Sequence, residues 1–103
     1  MTKLTSKQRA QLRGIANSAD TTLHVGKGGI TETVIGQLNE GLTAREIVKG
    51  KVLENAPVTS REACDALAKA CKAHPVQVIG SKFVIYRANP DIDKDKRIRL
   101  VKD

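Results

Sequence analysis

The sequence predicts a two-layer α/β sandwich in which helices pack on a four-stranded mixed sheet. Three observations support this fold class. Helical and strand-like apolar patterns alternate along the chain in the order α-β-α-β-α-β-β. Two of the helical patterns begin with a capping box, and the last two strand patterns flank a two-residue turn. A chain of 103 residues has room for one hydrophobic core of this kind.

The first half of the chain contains two predicted helices and one short strand. The first capping box begins a helix over residues 6–17, whose apolar positions recur at helical spacing. The β-branched stretch 21–25 predicts a strand, since it stops at a glycine. A second helix begins after an N-cap at Thr31, and we expect it to fray near Gly41.

Residues 46–53 alternate between apolar and mixed positions, which predicts a strand with one core face and one partly basic face. Gly50 stands on the core face of this strand. Glycine in a strand interior has no side chain to pack, so we expect it to weaken the middle of the sheet.

The second capping box begins a third helix after residue 59, and this helix has the clearest helical periodicity in the chain. Pro75 is expected to end it. The stretches 76–79 and 82–87 then predict two strands of a hairpin, because Gly80 opens the two-residue turn between them.

The composition changes after the hairpin. Residues 1–88 are predicted to form one domain, and residues 89–103 a charged C-terminal tail. We expect this tail to be either disordered or to add a short edge strand near residues 97–101.

The charge balance narrows the class of partner. Eighteen Lys and Arg residues against eleven Asp and Glu residues give a net charge of +7, which favours nucleic acid first and an anionic membrane surface second. Phe83 and Tyr86 are the only aromatic residues, so a protein that stacks successive bases on aromatic side chains is disfavoured. No apolar run approaches the length of a membrane span, and we expect a soluble, cytoplasmic protein.

The candidate phosphate-binding loop is Gly26-Lys27-Gly28-Gly29, between the first strand and the second helix. Its glycines allow backbone N–H groups to approach a phosphate, and the helix that follows presents its positive dipole end to the same anion. The spacing fits neither a dinucleotide fingerprint nor a P-loop. A Gly-x-x-Gly clamp on a nucleic-acid backbone matches, and so does a plain tight turn without a ligand.

Other basic residues could converge on the same surface as the loop, since the elements that carry them are neighbours in a small sandwich. Ordinary solvated surface charge is the alternative for each one. The candidates outside the loop are Lys7, Arg9, Arg13, Lys49, Lys51 and Arg87.

Metal binding and catalysis are disfavoured. Cys64 and Cys71 lie in the third helix, with Cys71 on its apolar stripe, and a zinc site would need His24 from a distant element to join His74. A cysteine buried among alanines has a raised pKa and is unreactive. We therefore expect no cofactor, no metal and no catalytic residues.

The residue stretches 4–13, 25–31, 76–80 and 84–87 resemble the CRM domain, named for chloroplast RNA splicing and ribosome maturation, in its stand-alone bacterial form. The resemblance implies an RNA-binding fold similar to the C-terminal domain of bacterial initiation factor three. It also implies a role on ribosomal RNA during assembly of the large subunit, without catalysis. The family's loop corresponds to residues 26–29 and its basic first helix to Lys7, Arg9 and Arg13.

Two functions from different classes follow. The first is a monomeric RNA-binding assembly factor that grips the backbone through the glycine loop and its basic surroundings. The second is an adaptor that docks on an acidic ribosome-associated protein and uses its charge only for electrostatic steering.

Overall fold

The computed structural model describes residues 4–93, 95 and 97–101. Three helices and four strands follow one another in the predicted order, within these residues. The elements are α1 (Ser6–Asn17), β1 (Thr21–Val25), α2 (Glu32–Arg45), β2 (Ile47–Val52), α3 (Ser60–Ala70), β3 (His74–Ile79) and β4 (Lys82–Tyr86).

The four strands form one mixed sheet in the order β1-β2-β4-β3. β1 and β2 are parallel and are joined by α2, whereas β4 pairs antiparallel with both β2 and β3. Parallel neighbours require a crossover connection, which is why the helical segment between β1 and β2 returns the chain to the same edge. The predicted α/β fold class with a four-stranded mixed sheet is confirmed.

One face of the sheet, which we call the closed face, is covered by α2 and α3. Their apolar stripes meet the inward side chains of three strands in a single buried cluster. The cluster's large members include Leu23, Val25, Leu38, Leu42, Val48, Leu67, Phe83 and Ile85.

The other face, which we call the α1 face, is covered only in part. α1 and the chain around Leu4 pack there in a second buried cluster with residues of β3 and β4, and the tail residues Ile98 and Leu100 pack against it. This cover lies over the end of the sheet where β4 finishes, at Tyr86. The opposite end of the α1 face is left uncovered by the described residues.

Two glycines that appeared to weaken the fold instead allow close packing. A Cβ atom on Gly50 would overlap Cζ of Phe83, so the missing side chain makes room for the buried phenyl ring. A Cβ atom on Gly41 would lie 2.7 Å from Cγ2 of Val48, so α2 approaches β2 closely at this point. α2 continues to Arg45 rather than fraying near Gly41.

Glu46 ends α2, whereas the sequence predicted that it would lie in the strand β2. It adopts a left-handed conformation, with φ of 67°, and its N–H donates to the carbonyl of Leu42 at 2.9 Å. Its carboxylate is completely buried and accepts hydrogen bonds from the N–H groups of Asn89 and Ile98, both at 2.7 Å. A buried acid thereby fixes the tail to the end of the sheet.

Residues 97–101 of the tail pack against α1 without forming a strand, so the edge strand that was one of the two expected alternatives is not present there. The side chain of Gln11 donates to the carbonyl of Arg99 and accepts from the N–H of Val101, at 2.7 and 2.8 Å. Gln8 donates to the carbonyl of Val101 at 3.1 Å. The backbone of this segment bonds to amide side chains of α1, and these side chains replace a neighbouring strand as hydrogen-bond partners.

The third helix ends before the predicted stop. α3 finishes at Ala70, and Pro75 lies inside β3, which is an edge strand of the sheet. Proline is tolerated there because an edge strand does not need every N–H for pairing. The hairpin turn is as predicted, with Gly80 at φ of 57° between the paired residues Ile79 and Lys82.

Candidate nucleic-acid interface

Four residues form a row across the whole sheet at the uncovered end of the α1 face. Lys51 is paired with His24 on one side and with Lys82 on the other, and Lys82 is paired with Ile79. Paired residues in a ladder share one face. Lys51 alternates with the buried Gly50 and Val52, which places the row on the α1 face. We call these four residues the cross-strand row.

A second, inner row lies one step closer to α1. Lys49 pairs with Val84, and Val84 pairs with Gln77. The Nζ atom of Lys49 donates to the carbonyl of Ala16 at 3.3 Å, near the C-terminal end of α1. A cation is favourable at a helix C-terminus, so this contact holds the Lys49 side chain at the border between the helix and the open sheet.

The glycine loop follows β1 directly and therefore lies beside the cross-strand row. It forms a turn in which the N–H of Gly29 donates to the carbonyl of Gly26 at 2.9 Å. Lys27 and Gly28 are exposed at the tip of this turn. The tip of the loop is therefore accessible at the end of the sheet where His24 and Lys51 lie.

The three loop glycines are not equivalent. Gly29 has φ of 70°, and a Cβ atom there would lie 3.1 Å from Cγ of Pro57, so this position requires glycine. Cβ atoms on Gly26 and Gly28 would meet their nearest neighbours at 3.6 and 3.5 Å, which is ordinary van der Waals contact. Backbone conformation and packing therefore explain why position 29 is Gly29. Packing does not require glycine at Gly26 or Gly28.

The N-terminus of α2 contributes less positive potential than its position suggests. The hydroxyl of Thr31 accepts a hydrogen bond from the N–H of Val34 at 3.2 Å, and Glu32 occupies the first turn. The cap uses one of the free N–H groups, and the carboxylate opposes an incoming anion. The positive potential near the loop comes mainly from lysine side chains.

α1 carries a basic stripe whose C-terminal end borders the open sheet. Arg9, Arg13 and Asn17 follow one another at intervals of four residues, so they lie along one side of the helix. Nη1 of Arg9 donates to the carbonyl of Pro75 in β3 at 2.6 Å. Asn17 lines a cavity together with Lys49 and other residues of the open sheet. The stripe therefore runs from the covered end of the sheet, at Arg9, to the inner row, at Asn17.

Seven of the ten predicted contact residues lie toward this end of the molecule. They come from the last turns of the first helix, the loop and β2. These residues are Arg13, Gly26, Lys27, Gly28, Gly29, Lys49 and Lys51.

Lys7, Arg9 and Arg87 lie elsewhere. Arg9 bonds to Pro75, which pairs with Ile85 near the covered end of the sheet. Lys7 is exposed on α1, away from the side that carries Arg9. Arg87 lies at the far end of the sheet, where its guanidinium donates to Asn39, Thr43 and the carbonyl of Cys71, at distances from 2.8 to 3.3 Å. It joins α2 to the end of α3, which gives this arginine a structural role.

Five residues of this surface were missed in the sequence. They are His24, Ile79, Lys82, Asn17 and Gln77. Lys82 alternates in phase with Val84, so the strand periodicity contained the signal that its side chain lies on the α1 face. The others depended on the register between strands and on the position of α1.

The cysteines take no part in the surface. Burial raises the pKa of the Cys64 thiol to about 11, and burial also raises the pKa of Cys71. Such thiols are poor nucleophiles and poor metal ligands.

Within the residues that the structure describes, no group of three or more His, Cys, Asp or Glu side chains could hold a metal ion. The described helices include none long and apolar enough to span a bilayer.

Comparison with known proteins gives a consistent result. Residues 4–87 match the model of the CRS1 / YhbY (CRM) domain. The probable RNA-binding protein YqeI of Bacillus subtilis is 36% identical over 97 residues, which cover 94% of this chain and 98% of that protein. A Haemophilus influenzae protein named RNA-binding protein is 32% identical over 91 residues, covering 88% of this chain and 92% of its own length.

A solved structure agrees with the fold. The solution structure of the hypothetical protein SAV1595 from Staphylococcus aureus has a TM-score of 0.77 and 38% sequence identity, and the match covers 96% of this chain and 100% of that one. The family model spans α1, the glycine loop, the sheet and the hairpin, which are the elements that build the basic surface. This chain belongs to the CRM domain family.

Proposed function

We propose that this protein binds RNA through the glycine loop and the uncovered end of the α1 face. The observation that carries the proposal is the presence of five cations from four segments toward one end of the molecule. They are Arg13, Lys27, Lys49, Lys51 and Lys82. The names of its relatives, which describe RNA-binding proteins, support RNA as the polyanion.

The proposed contact is mainly to the RNA backbone. Lysine and arginine side chains attract phosphates without reading sequence. Phe83 and Tyr86 are both buried, so neither offers a stacking platform. Gly26 and Gly28 have room for a side chain that they lack, and this keeps the backbone of the loop open to close approach.

The cellular role we propose is assistance to assembly of the large ribosomal subunit in the cytoplasm, by a monomer without catalytic activity. The basis is the likeness to the CRM family. The distribution of the protein across a sucrose gradient of cell lysate tests this role. Co-migration with precursors of the large subunit is expected, and a position only at the top of the gradient would contradict it.

The binding mode is tested by reversing charge in the loop. The double variant Lys27→Glu with Gly28→Asp should weaken binding to a labelled single-stranded RNA oligonucleotide by about tenfold or more at low salt, because it adds repulsion where phosphate contact is proposed. Both positions are exposed, so the fold should survive, which circular dichroism can verify.

The matched control is Lys69→Glu with Ala70→Asp. It changes the formal charge by the same amount on two exposed residues of α3, which covers the closed face. Equal weakening in both variants would show that RNA binding depends on the overall charge of the protein and not on the loop.

A pull-down repeated after ribonuclease treatment tests the adaptor function, since a direct acidic protein partner would remain bound without RNA.

A further inference from the structure

A cavity of about 200 Å³ lies between the C-terminal end of α1 and the uncovered part of the sheet. Its floor includes Val84, at the centre of the inner row. Its sides are formed by Asn17, Lys49, Gln77, Ile79 and Lys82. The cavity therefore lies inside the proposed RNA interface, between the basic stripe of α1 and the cross-strand row.

The size of the cavity limits what it can hold. Sites for drug-sized ligands occupy about 300–1,000 Å³, so a cavity of this smaller size suits one planar ring system better than a complete nucleotide. Ile79 on its side is 63% exposed, which is unusual for a large aliphatic side chain at the end of a strand. Its exposed surface provides an apolar contact for a flat ring.

The polar groups of the cavity are amides as well as cations. Asn17 and Gln77 each carry a carboxamide that can donate and accept hydrogen bonds. A site for phosphate alone would need only donors. Nucleobase edges present donors and acceptors side by side, and carboxamides pair with them in bidentate fashion. Lys49 and Lys82 lie on the sides of the same cavity, where a flanking phosphate could be neutralised.

We propose that this cavity binds one unpaired nucleobase of the RNA whose backbone lies on the glycine loop and the cross-strand row. This inference rests on the proposed function and deepens it, since it names single-stranded, looped or bulged RNA as the ligand class. A base inside a regular A-form helix cannot enter the cavity, because its edges are paired and stacked. An unstacked base can be turned out and hydrogen-bonded on its free edge.

The test compares two labelled RNA oligonucleotides of equal length and equal charge, one with all its bases and one with abasic ribose throughout. The wild-type protein should bind the oligonucleotide with bases about tenfold more tightly, within the range expected for good hydrogen bonding to a base. The double variant Asn17→Ala with Gln77→Val should reduce this difference to about twofold or less. Its dependence on salt should stay unchanged, since no charge is altered.

Valine at position 77 preserves strand propensity, and Asn17 is an exposed residue at the end of α1, so the variant should fold. The single variant Asn17→Ala provides a second, milder measurement in the same direction. The matched control is Gln37→Ala, which removes an exposed carboxamide from α2 and should retain the full preference for bases.

The outcomes separate the two proposals. If the wild-type protein binds both oligonucleotides equally, the base-binding cavity is wrong and the phosphate interface stands. A preference for bases that persists in the double variant would also overturn the cavity, since the discrimination would then arise elsewhere. If neither oligonucleotide binds, the proposed function itself fails.

Discussion

The two faces of the sheet differ in how completely they are covered. The closed face carries two helices over most of its length, and its strand positions hold Val, Leu, Ile and Phe side chains. The α1 face is covered at one end by a helix and the tail, and at the other end it exposes lysines, an amide and an isoleucine. Stability is concentrated on the first face and at the covered end of the second. The uncovered end is thereby free to carry charge that a core could not accommodate.

The largest effect should come from breaking the cover of the α1 face at Glu46. We expect Glu46→Ala to lower the free energy of unfolding by about 3 kcal/mol, because it leaves the half-buried N–H groups of Asn89 and Ile98 without their charged acceptor. Chemical denaturation measures this loss. Glu46→Gln is the control and should cost less, since it keeps one oxygen acceptor.

The same pair of variants sharpens the comparison between the two ends of the α1 face. Per folded molecule, the RNA affinity of Glu46→Ala should be close to that of the wild type, because the tail lies far from the glycine loop. A loss of affinity larger than the loss of folded protein would show that the two ends are coupled.

A smaller effect is expected from overfilling the closed face. Gly50→Ala should lower the free energy of unfolding by about 2 kcal/mol, because its Cβ atom would overlap the ring of Phe83. Thermal unfolding gives the measurement. Gly36→Ala in α2 is the matched control, since its Cβ atom would meet no atom within 4 Å, and it should stabilise the protein by about 0.5–1 kcal/mol. Similar effects from both substitutions would contradict the tight packing described at Gly50.

The smallest effects concern single charges on the open end. If RNA contacts about five phosphates, the logarithm of the binding constant should fall with the logarithm of salt concentration at a slope near −3.5. Arg13→Ala and Lys82→Ala should each flatten this slope by about 0.7, whereas Lys69→Ala on α3 should leave it unchanged. Fluorescence anisotropy at several salt concentrations gives the slope. An equal change in slope from Lys69→Ala would mean that RNA does not bind preferentially to the open end of the α1 face.

The predictions from sequence succeeded where local physics decides the outcome. The capping boxes placed the starts of α1 and α3, and the side chains of Thr5 and Thr59 do accept hydrogen bonds from Gln8 and Glu62 backbone N–H groups. Strand alternation assigned the two faces of β2 correctly, with Val48 buried on the core face. These features depend on residues close together in the chain.

The failures share a different cause. Gly50 and Gly41 looked unfavourable because their packing partners, Phe83 and Val48, come from other elements. Glu46 was assigned to a strand because its partners in the tail lie more than forty positions away. No local pattern contains such information, since it depends on which elements meet.

The same distinction between local and long-range information applies to the candidate site. The sequence by itself determined the fold class, the position of the glycine loop, and the excess of positive charge that points to a polyanion. Only the tertiary structure decided which charges act together. Register placed Lys51 between His24 and Lys82, and packing turned Arg87 inward to hydrogen-bond Asn39. The physical reason is that helix and strand periodicities depend on near neighbours, whereas a binding surface depends on distances between residues far apart in the chain.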